Sequence, residues 1–191
     1  MLFLLLACGT DKVSTETMTD ISTTYADIVY ASYSDSVTTA QDLDTEILSF
    51  LNAPSQAGLT SAQDAWKASR EPYLQTEVYR FYDGPIDNPE TGVEGMLNAW
   101  PLDEAYIDYT VDDSSAGIIN DPSITIDADT LMSLNEQGGE ENIATGFHAI
   151  EFLLWGQDLS SDSAGTRPYT DFVTDGSGTA ENQDQNTHVV V

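Results

Sequence analysis

The chain is poor in basic residues: its 191 residues contain 5 Lys and Arg against 33 Asp and Glu, for a formal net charge of −28. Proteins bind nucleic acids largely by placing lysine and arginine against phosphates. A surface this acidic repels such polyanions, and it repels a bare anionic lipid surface as well. The composition therefore excludes DNA and RNA as partners.

Cysteine and histidine are scarce too, since the sequence holds one Cys and two His. A single cysteine cannot form an intrachain disulfide or a cysteine-rich zinc cluster, so packing must supply the stability. Apolar residues make up 40% of the chain, which is enough to bury the core of one domain. Any metal site must use histidine and carboxylate ligands.

The sequence has no apolar run of the roughly 20 residues needed to span a bilayer, and the N-terminal run at 2–7 is too short. The segment Leu5-Leu6-Ala7-Cys8 instead resembles the lipobox of bacterial lipoproteins. Cys8 would then be the lipidated first residue, unless it is an inert residue of a disordered tail. We interpret residues 1–8 as the remnant of a lipoprotein signal and residues 9–19 as a polar tether.

Apolar residues from Ile21 onward recur mostly at three- and four-residue steps, as amphipathic helices require. This pattern predicts one long helix, or two in line, over residues 20–50. Thr60 and Gln63 match a capping box that would open a second helix. Pro72 predicts that this helix is bent or begins near Glu71.

Shorter helices are predicted at 101–106, with a proline in the first turn, at 127–135 and at 143–154. No alternating pattern of strand length is present in the sequence. We therefore expect an all-α fold, a helical bundle with irregular loops, over residues 20–175. Residues 176–191 have no periodicity that would seal a core and are expected to be a disordered tail.

His148 and Glu151 are three residues apart in the last predicted helix, so their side chains project from nearly the same face. Their neighbours are bulky and apolar, and a carboxylate there is costly unless it is paired, hydrogen-bonded or bound to metal. Carboxylate and histidine pairs build metal sites in bundles when other helices add acids. The alternative is a structural hydrogen bond between the two side chains.

The second predicted helix offers further candidates, because four residues on it share one stripe at four- and three-residue steps. These residues are Trp66, Arg70, Tyr73 and Glu77. Glu77, together with Glu71 on the adjacent stripe, is a candidate for an additional metal ligand. Arg70 and Glu77 fit either a structural ion pair or the positioning of a ligand. Asp103 is another candidate, although a charge at a helix end explains it too.

The segment from Gly146 to Glu151 resembles the Gly-x-His-x-x-Glu motif of the imelysin family. Longer segments at 65–73, 81–87, 98–104 and 152–159 resemble the same family, most closely its iron-regulated protein A subgroup. The resemblance covers residues 20–175. It implies an all-helical fold of two bundle-like halves, of which this chain would be the first, ending in a truncated or frameshifted tail.

The resemblance also implies export and a part in the acquisition of iron or another metal. The motif residues Gly146, His148 and Glu151 would form the site, supported by the helix that carries Trp66. Gly146 has a physical reason as well, because a residue without a side chain lets another helix or a ligand approach the backbone. Cys8, followed by Gly9 as in sorted lipoproteins, would anchor the protein by lipid in the outer membrane or periplasm.

We therefore expect a metal-binding lipoprotein of the cell envelope. Its ligand would be iron or another divalent metal, and its partners would be the membrane and a metal-uptake protein. One alternative is a metallopeptidase of the insulin-cleaving membrane protease type, in which Glu151 serves as the base. The other is a purely structural surface domain that takes up no metal.

Overall fold

The structure of the protein, a computed structural model, describes residues 14–179. The expected all-α fold is confirmed, and no β-strand occurs in this range. The α-helices are α1 (Thr15–Asn52), α2 (Gln56–Thr76), α3 (Glu94–Asn98), α4 (Glu104–Ile107), α5 (Ala128–Leu134) and α6 (Gly146–Trp155). Short 3₁₀ helices lie at Glu77–Tyr79, Ile118–Asn120 and Tyr169–Phe172. The predicted signal remnant with Cys8, and the tail from residue 180, lie outside the described residues.

Helix α1 is one continuous helix of 38 residues, about 57 Å long. It begins before the predicted start because the Ser14 hydroxyl caps it, accepting a hydrogen bond from the Thr17 backbone N–H at 3.1 Å. Its second half packs against α2 to form a helical hairpin. Among residues 14–179, neither α1 nor any other helix is both long and apolar enough to cross a membrane.

Helix α2 starts earlier than the capping-box pattern indicates. Ser55 is its N-cap, with the side chain accepting from the Gly58 N–H at 3.1 Å. The Thr60 hydroxyl instead donates to the Gln56 carbonyl within the first turns of the helix. Pro72 lies inside α2 without ending it, so a helix start near Glu71 is wrong. Ser55, three residues after the end of α1, already provides the side-chain cap at the Gly58 N–H, so Thr60 does not serve as the N-cap.

Side-chain hydrogen bonds to the backbone set where the shorter helices α4, α5 and α6 begin. Pro101 lies before α4 and not in its first turn, because Asp103 is the N-cap. Asp127 caps α5 by accepting from the Thr130 N–H at 2.8 Å. Helix α6 begins after the predicted residue 143, because the Asn135 side chain accepts hydrogen bonds from the backbone of the two residues before it and holds them outside the helix.

Helix α6 lies between two groups of buried apolar residues and contributes to both. The first group joins it to α1 and α2, and consists of Leu43, Ile47, Phe50, Leu59, Ala62, Tyr73, Phe147, Leu154 and Phe172. The second lies under the loops and consists of Ala99, Ile107, Ile119, Ile143, Ala149, Phe152 and Leu153. Because both groups include residues of α6, this helix joins the two parts of the core.

A buried cluster of charges ties the chain after α6 back to α4. The Arg167 Nη1 atom lies 2.6 Å from Asp108 Oδ2 and 3.5 Å from Asp171 Oδ2, and all three side chains are at most 3% exposed. The Tyr109 hydroxyl donates to Asp171 at 2.5 Å. One guanidinium thus compensates two buried carboxylates, which are costly to bury unpaired.

The folded region continues past residue 175, where the disordered tail was expected to begin. The Thr179 hydroxyl donates to Asp171 Oδ1 at 2.6 Å, and the Thr179 N–H donates to the Thr170 carbonyl at 3.1 Å. Residues up to 179 therefore pack on the 3₁₀ helix at Tyr169–Phe172.

We predict that Arg167→Met destabilises the fold by about 3–5 kcal/mol, because two carboxylates are left buried without their cation. The measurement is the free energy of unfolding in urea. Lys67→Met is the matched control, since it breaks an exposed pair with Asp64 that contributes less than about 1 kcal/mol. Similar losses in the two variants would contradict the assignment of Arg167 as the central cation of the fold.

Candidate functional site

A close contact between the backbones of α6 and α3 positions the candidate site. Gly146, the first residue of α6, has a φ of +85°, and a Cβ atom added there would lie 2.5 Å from the Leu97 carbonyl oxygen. Just before it, the Thr145 hydroxyl donates to the Met96 carbonyl at 3.0 Å. Only glycine fits this contact, because other residues disfavour the backbone conformation and would collide with α3. The close approach expected at Gly146 is thus made by a helix backbone.

His148 and Glu151 lie one turn apart on the partly exposed face of α6, which we call its rim. The Nδ1 atom of His148 is 3.2 Å from Oε2 of Glu151, within hydrogen-bonding distance. The histidine side chain is 17% exposed and the glutamate side chain 43% exposed. The Trp100 ring covers part of the histidine, with the two ring centres 4.9 Å apart. The pair is therefore partly covered but open to solvent on the carboxylate side.

The other acids predicted as ligands do not join this pair. Among residues 14–179, no group of three or more His, Cys, Asp or Glu side chains is arranged to hold a metal ion. Glu71 is exposed on α2, and Glu77 is half-buried at the residue that follows the end of α2. Asp103 caps α4 by accepting from the Ala105 N–H at 3.0 Å, so the explanation as a helix-end charge applies to it.

Three residues of the α2 stripe meet α6 at Phe147. The Trp66 indole N–H donates to the Phe147 carbonyl at 2.9 Å. The Arg70 guanidinium lies over the Phe147 ring at 4.9 Å, and the Tyr73 ring is 4.9 Å from it. The stripe predicted from the sequence therefore does face the helix of the motif, as an aromatic support and not as a source of metal ligands.

The ion pair between Arg70 and Glu77 that the spacing suggested is not formed. Arg70 Nη1 instead donates to the Asn98 side-chain oxygen at 2.6 Å, across to the end of α3. Asn98 and Trp100 are the site residues that reasoning from the sequence missed. Both lie in the segment 98–104 that carries part of the family resemblance, which was the one available signal.

Tyr73 is buried, 5% exposed, and its hydroxyl has no hydrogen-bond partner within residues 14–179. Burial, followed by the charge of Glu94, raises the pKa of Tyr73 to about 12. Burial and then the hydrogen bond to Asp171 raise the pKa of Tyr109 to about 12 as well. Both phenols therefore stay neutral at physiological pH, although only Tyr109 has a partner.

The model of the imelysin family matches residues 29–191, which include the Gly146 to Glu151 motif and the α2 stripe. Iron-regulated protein A of Synechococcus elongatus is 31% identical over 128 residues, an alignment that covers 67% of this chain and 29% of that protein. The chain spans less than a third of the length of this relative.

We predict that Gly146→Ala destabilises the protein more than Gly176→Ala. Both glycines have a positive φ, +85° and +88°, which costs an alanine about 1–3 kcal/mol. A Cβ at Gly176 meets nothing within 4 Å, whereas at Gly146 it collides with Leu97 and adds about 1–3 kcal/mol of overpacking. Urea unfolding of the two variants measures the difference. Equal losses would mean that the α3 to α6 contact is not tight in solution.

We also predict different effects on stability for two tyrosine-to-phenylalanine changes that each delete one oxygen. Tyr73→Phe removes a buried hydroxyl without a partner. It should leave the free energy of unfolding unchanged or raise it by at most about 3 kcal/mol. Tyr109→Phe removes a bond to a carboxylate and should cost about 1.5–3 kcal/mol. The free energy of unfolding in urea compares them. A loss at Tyr73 as large as that at Tyr109 would show that its hydroxyl is bonded.

Proposed function

The chain belongs to the imelysin family, and we propose that it is an exported lipoprotein that binds a metal ion and takes part in iron acquisition. The observation that carries the metal site is the pairing of His148 with Glu151, 3.2 Å apart on the rim of α6. The name of the relative, iron-regulated protein A, supports iron as the metal concerned.

The donor atoms of the pair suit a transition-metal ion. Imidazole nitrogen and carboxylate oxygen are ligands for iron, zinc and copper, and geometry rather than affinity decides among these metals. Both donors project from one side of α6, and the partly exposed Glu151 leaves an approach from solvent. An ion would replace the hydrogen bond between His148 and Glu151 by bonds from each side chain to the metal.

Two protein ligands within the described residues fit an exchangeable ion rather than a permanent one. Structural zinc sites use four protein ligands, and catalytic ones use three with a water. Residues 14–179 supply only the two, so water or groups outside this range would complete the coordination. A site of this kind takes up an ion and gives it up again, as a protein of metal acquisition must.

The charge of the protein supports uptake of cations. With a net charge of −28, the surface attracts positive ions and raises their concentration near the site. This attraction is not specific for one metal and weakens with ionic strength. It therefore assists the encounter, while His148 and Glu151 provide the selectivity for a metal over sodium or potassium.

A metallopeptidase is the weaker proposal on this geometry. If Glu151 acted as the base, His148 would be the one metal ligand left from the pair, and the described residues add no further group. A catalytic zinc ion needs three protein ligands to be held while its water reacts. We therefore favour binding over peptide hydrolysis.

The location of the protein belongs to the same proposal. Lipidation at Cys8 would anchor it in the outer membrane or hold it at the periplasmic face, where it would meet a metal-uptake partner protein. Cys8 lies outside the described residues, so the argument for the anchor is the sequence Leu5-Leu6-Ala7-Cys8 alone.

We predict that His148→Ala weakens binding of the tested metal at least tenfold, which equals about 1.4 kcal/mol, because half of the protein ligands are removed. Titration calorimetry with ferrous, zinc and cupric ions measures the affinities. His188→Ala is the matched control, as the same change at the other histidine of the chain. Glu151→Gln, which keeps the shape of the side chain, should also weaken binding.

Circular dichroism and urea unfolding establish that each of these variants is folded before affinities are compared. Equal metal uptake by the parent protein and a folded His148→Ala variant would refute the site. Equal loss in His148→Ala and His188→Ala would assign the metal to several scattered ligands instead.

A further inference from the structure

The side chain of Trp100, in the loop between α3 and α4, contacts the histidine of the proposed metal site. The centres of its indole ring and of the His148 imidazole are 4.9 Å apart, and the two ring planes are tilted by 58°. An indole is not a metal ligand at neutral pH, because its nitrogen carries a proton and only donates hydrogen bonds. Any effect of Trp100 on a bound ion is therefore exerted through His148.

The loop that carries Trp100 is fixed on both sides of this residue. Two residues before it, the Asn98 side-chain oxygen accepts a hydrogen bond at 2.6 Å from an arginine of α2. Three residues after it, the Asp103 N–H donates to the Glu141 carbonyl at 2.7 Å. Because the backbone is held before and after Trp100, the fold itself brings the indole against the imidazole.

Two contacts define the orientation of the imidazole ring in the metal-free protein. Oε2 of Glu151 lies 3.2 Å from Nδ1 of His148, and the indole lies against the same ring. An ion bound between His148 and Glu151, as proposed above, takes the place of their hydrogen bond. The indole does not compete for a donor atom of the histidine, so its contact is kept when the hydrogen bond is lost.

The indole also favours the charge that the imidazole acquires from a metal ion. The π face of tryptophan attracts cations that lie within about 6 Å of the ring centre. The imidazole of His148 lies inside this range. A metal-bound imidazole carries part of the positive charge of the ion, whereas a free neutral imidazole does not. The contact therefore stabilises the metal-bound state more than the metal-free state.

We propose that Trp100 is a positioning residue of the metal site. Its indole keeps the imidazole of His148 in the orientation that binds the ion, and its π face stabilises the metal-bound form. This inference rests on the proposed function, since it requires a metal ion at His148 and Glu151. It adds a residue outside the Gly-x-His-x-x-Glu motif that sets the affinity of the site.

Two substitutions separate the aromatic ring of Trp100 from its apolar bulk. Trp100→Leu keeps an apolar side chain but has no π face, and Trp100→Phe restores a π face. Titration calorimetry with zinc measures the affinity of the full chain. We expect Trp100→Leu to weaken zinc binding about fivefold, which corresponds to about 1 kcal/mol. Trp100→Phe should stay within about twofold of the parent protein.

Tyr30→Leu is the matched control, because it also replaces an exposed aromatic residue by leucine, on α1. It should change the zinc affinity by no more than about twofold, as expected for a surface substitution. Trp100 is 68% exposed and Tyr30 is 78% exposed, so neither change opens a cavity in the core. Circular dichroism and urea unfolding establish that the variants are folded before affinities are compared.

Proton NMR tests the contact itself, with and without zinc. The ring current of an indole shifts the signals of protons on a neighbouring imidazole. The chain has two histidines, and the signals missing from the spectrum of His148→Ala identify those of His148. We expect the His148 signals to differ between the parent protein and Trp100→Leu in both the metal-free and the zinc-bound state, with part of the shift restored in Trp100→Phe.

Three results would overturn the role of Trp100 and leave the metal site in place. The first is equal zinc affinity of folded Trp100→Leu and the parent protein, while His148→Ala loses binding. The second is a difference in the His148 signals that disappears when zinc is bound, which would show that the indole leaves the ring. The third is an equal loss of affinity in Trp100→Leu and Tyr30→Leu. An absence of zinc binding by the parent protein would instead refute the proposed function, and this inference with it.

Discussion

The contact between the start of α6 and the end of α3 is the constraint on which the rest of the structure depends. Gly146 lets the two backbones approach to a distance that a Cβ atom would prevent. This contact fixes how α6 is rotated about its axis. With that rotation, Phe147 enters the core shared with α1 and α2, while Phe152 enters the second core under the loops. His148 and Glu151 are left at the rim.

Support from α2 makes that rotation stable. Trp66 donates to the Phe147 carbonyl near the start of α6, and the Gln63 side chain donates to the Leu154 carbonyl near its end, each at 2.9 Å. A ten-residue helix held at both ends by side-chain hydrogen bonds, and packed on two cores, keeps the histidine and glutamate in one geometry. Such preorganisation lowers the entropic cost of binding a ligand.

Local patterns in the sequence predicted most of the helices, because the three- and four-residue spacing of apolar residues is itself what packing selects. The start of α2 was predicted wrongly because two capping signals compete, and Ser55 is the one next to the end of α1. The partner of Arg70 was wrong for a different reason. Its hydrogen bond reaches Asn98, 28 residues away in sequence, and helical spacing carries no information about such a contact.

The candidate site was predicted only in part, for the same physical reason. Spacing alone placed His148 and Glu151 on one face of their helix and the four residues of the α2 stripe on one face of α2. That α2 supports the motif helix was expected from the family resemblance. The distances of Glu71, Glu77 and Asp103 from that face depend on how α2 and α4 pack, which the sequence does not encode locally. The cover that Trp100 provides to His148 depends on the path of a loop.

A purely structural role does not account well for the pair of His148 and Glu151. Three residues apart on one helix, with the carboxylate side 43% exposed, such a pair contributes less than about 1 kcal/mol to stability. The buried pair of Arg167 and Asp108, by contrast, occupies a place where its loss would leave a charge without compensation. The stability of the fold thus depends on the pair of Arg167 and Asp108 and hardly on the pair of His148 and Glu151. The small contribution of the pair to stability, the cover of His148 by Trp100 and the exposure of Glu151 support our proposal that the pair binds a ligand.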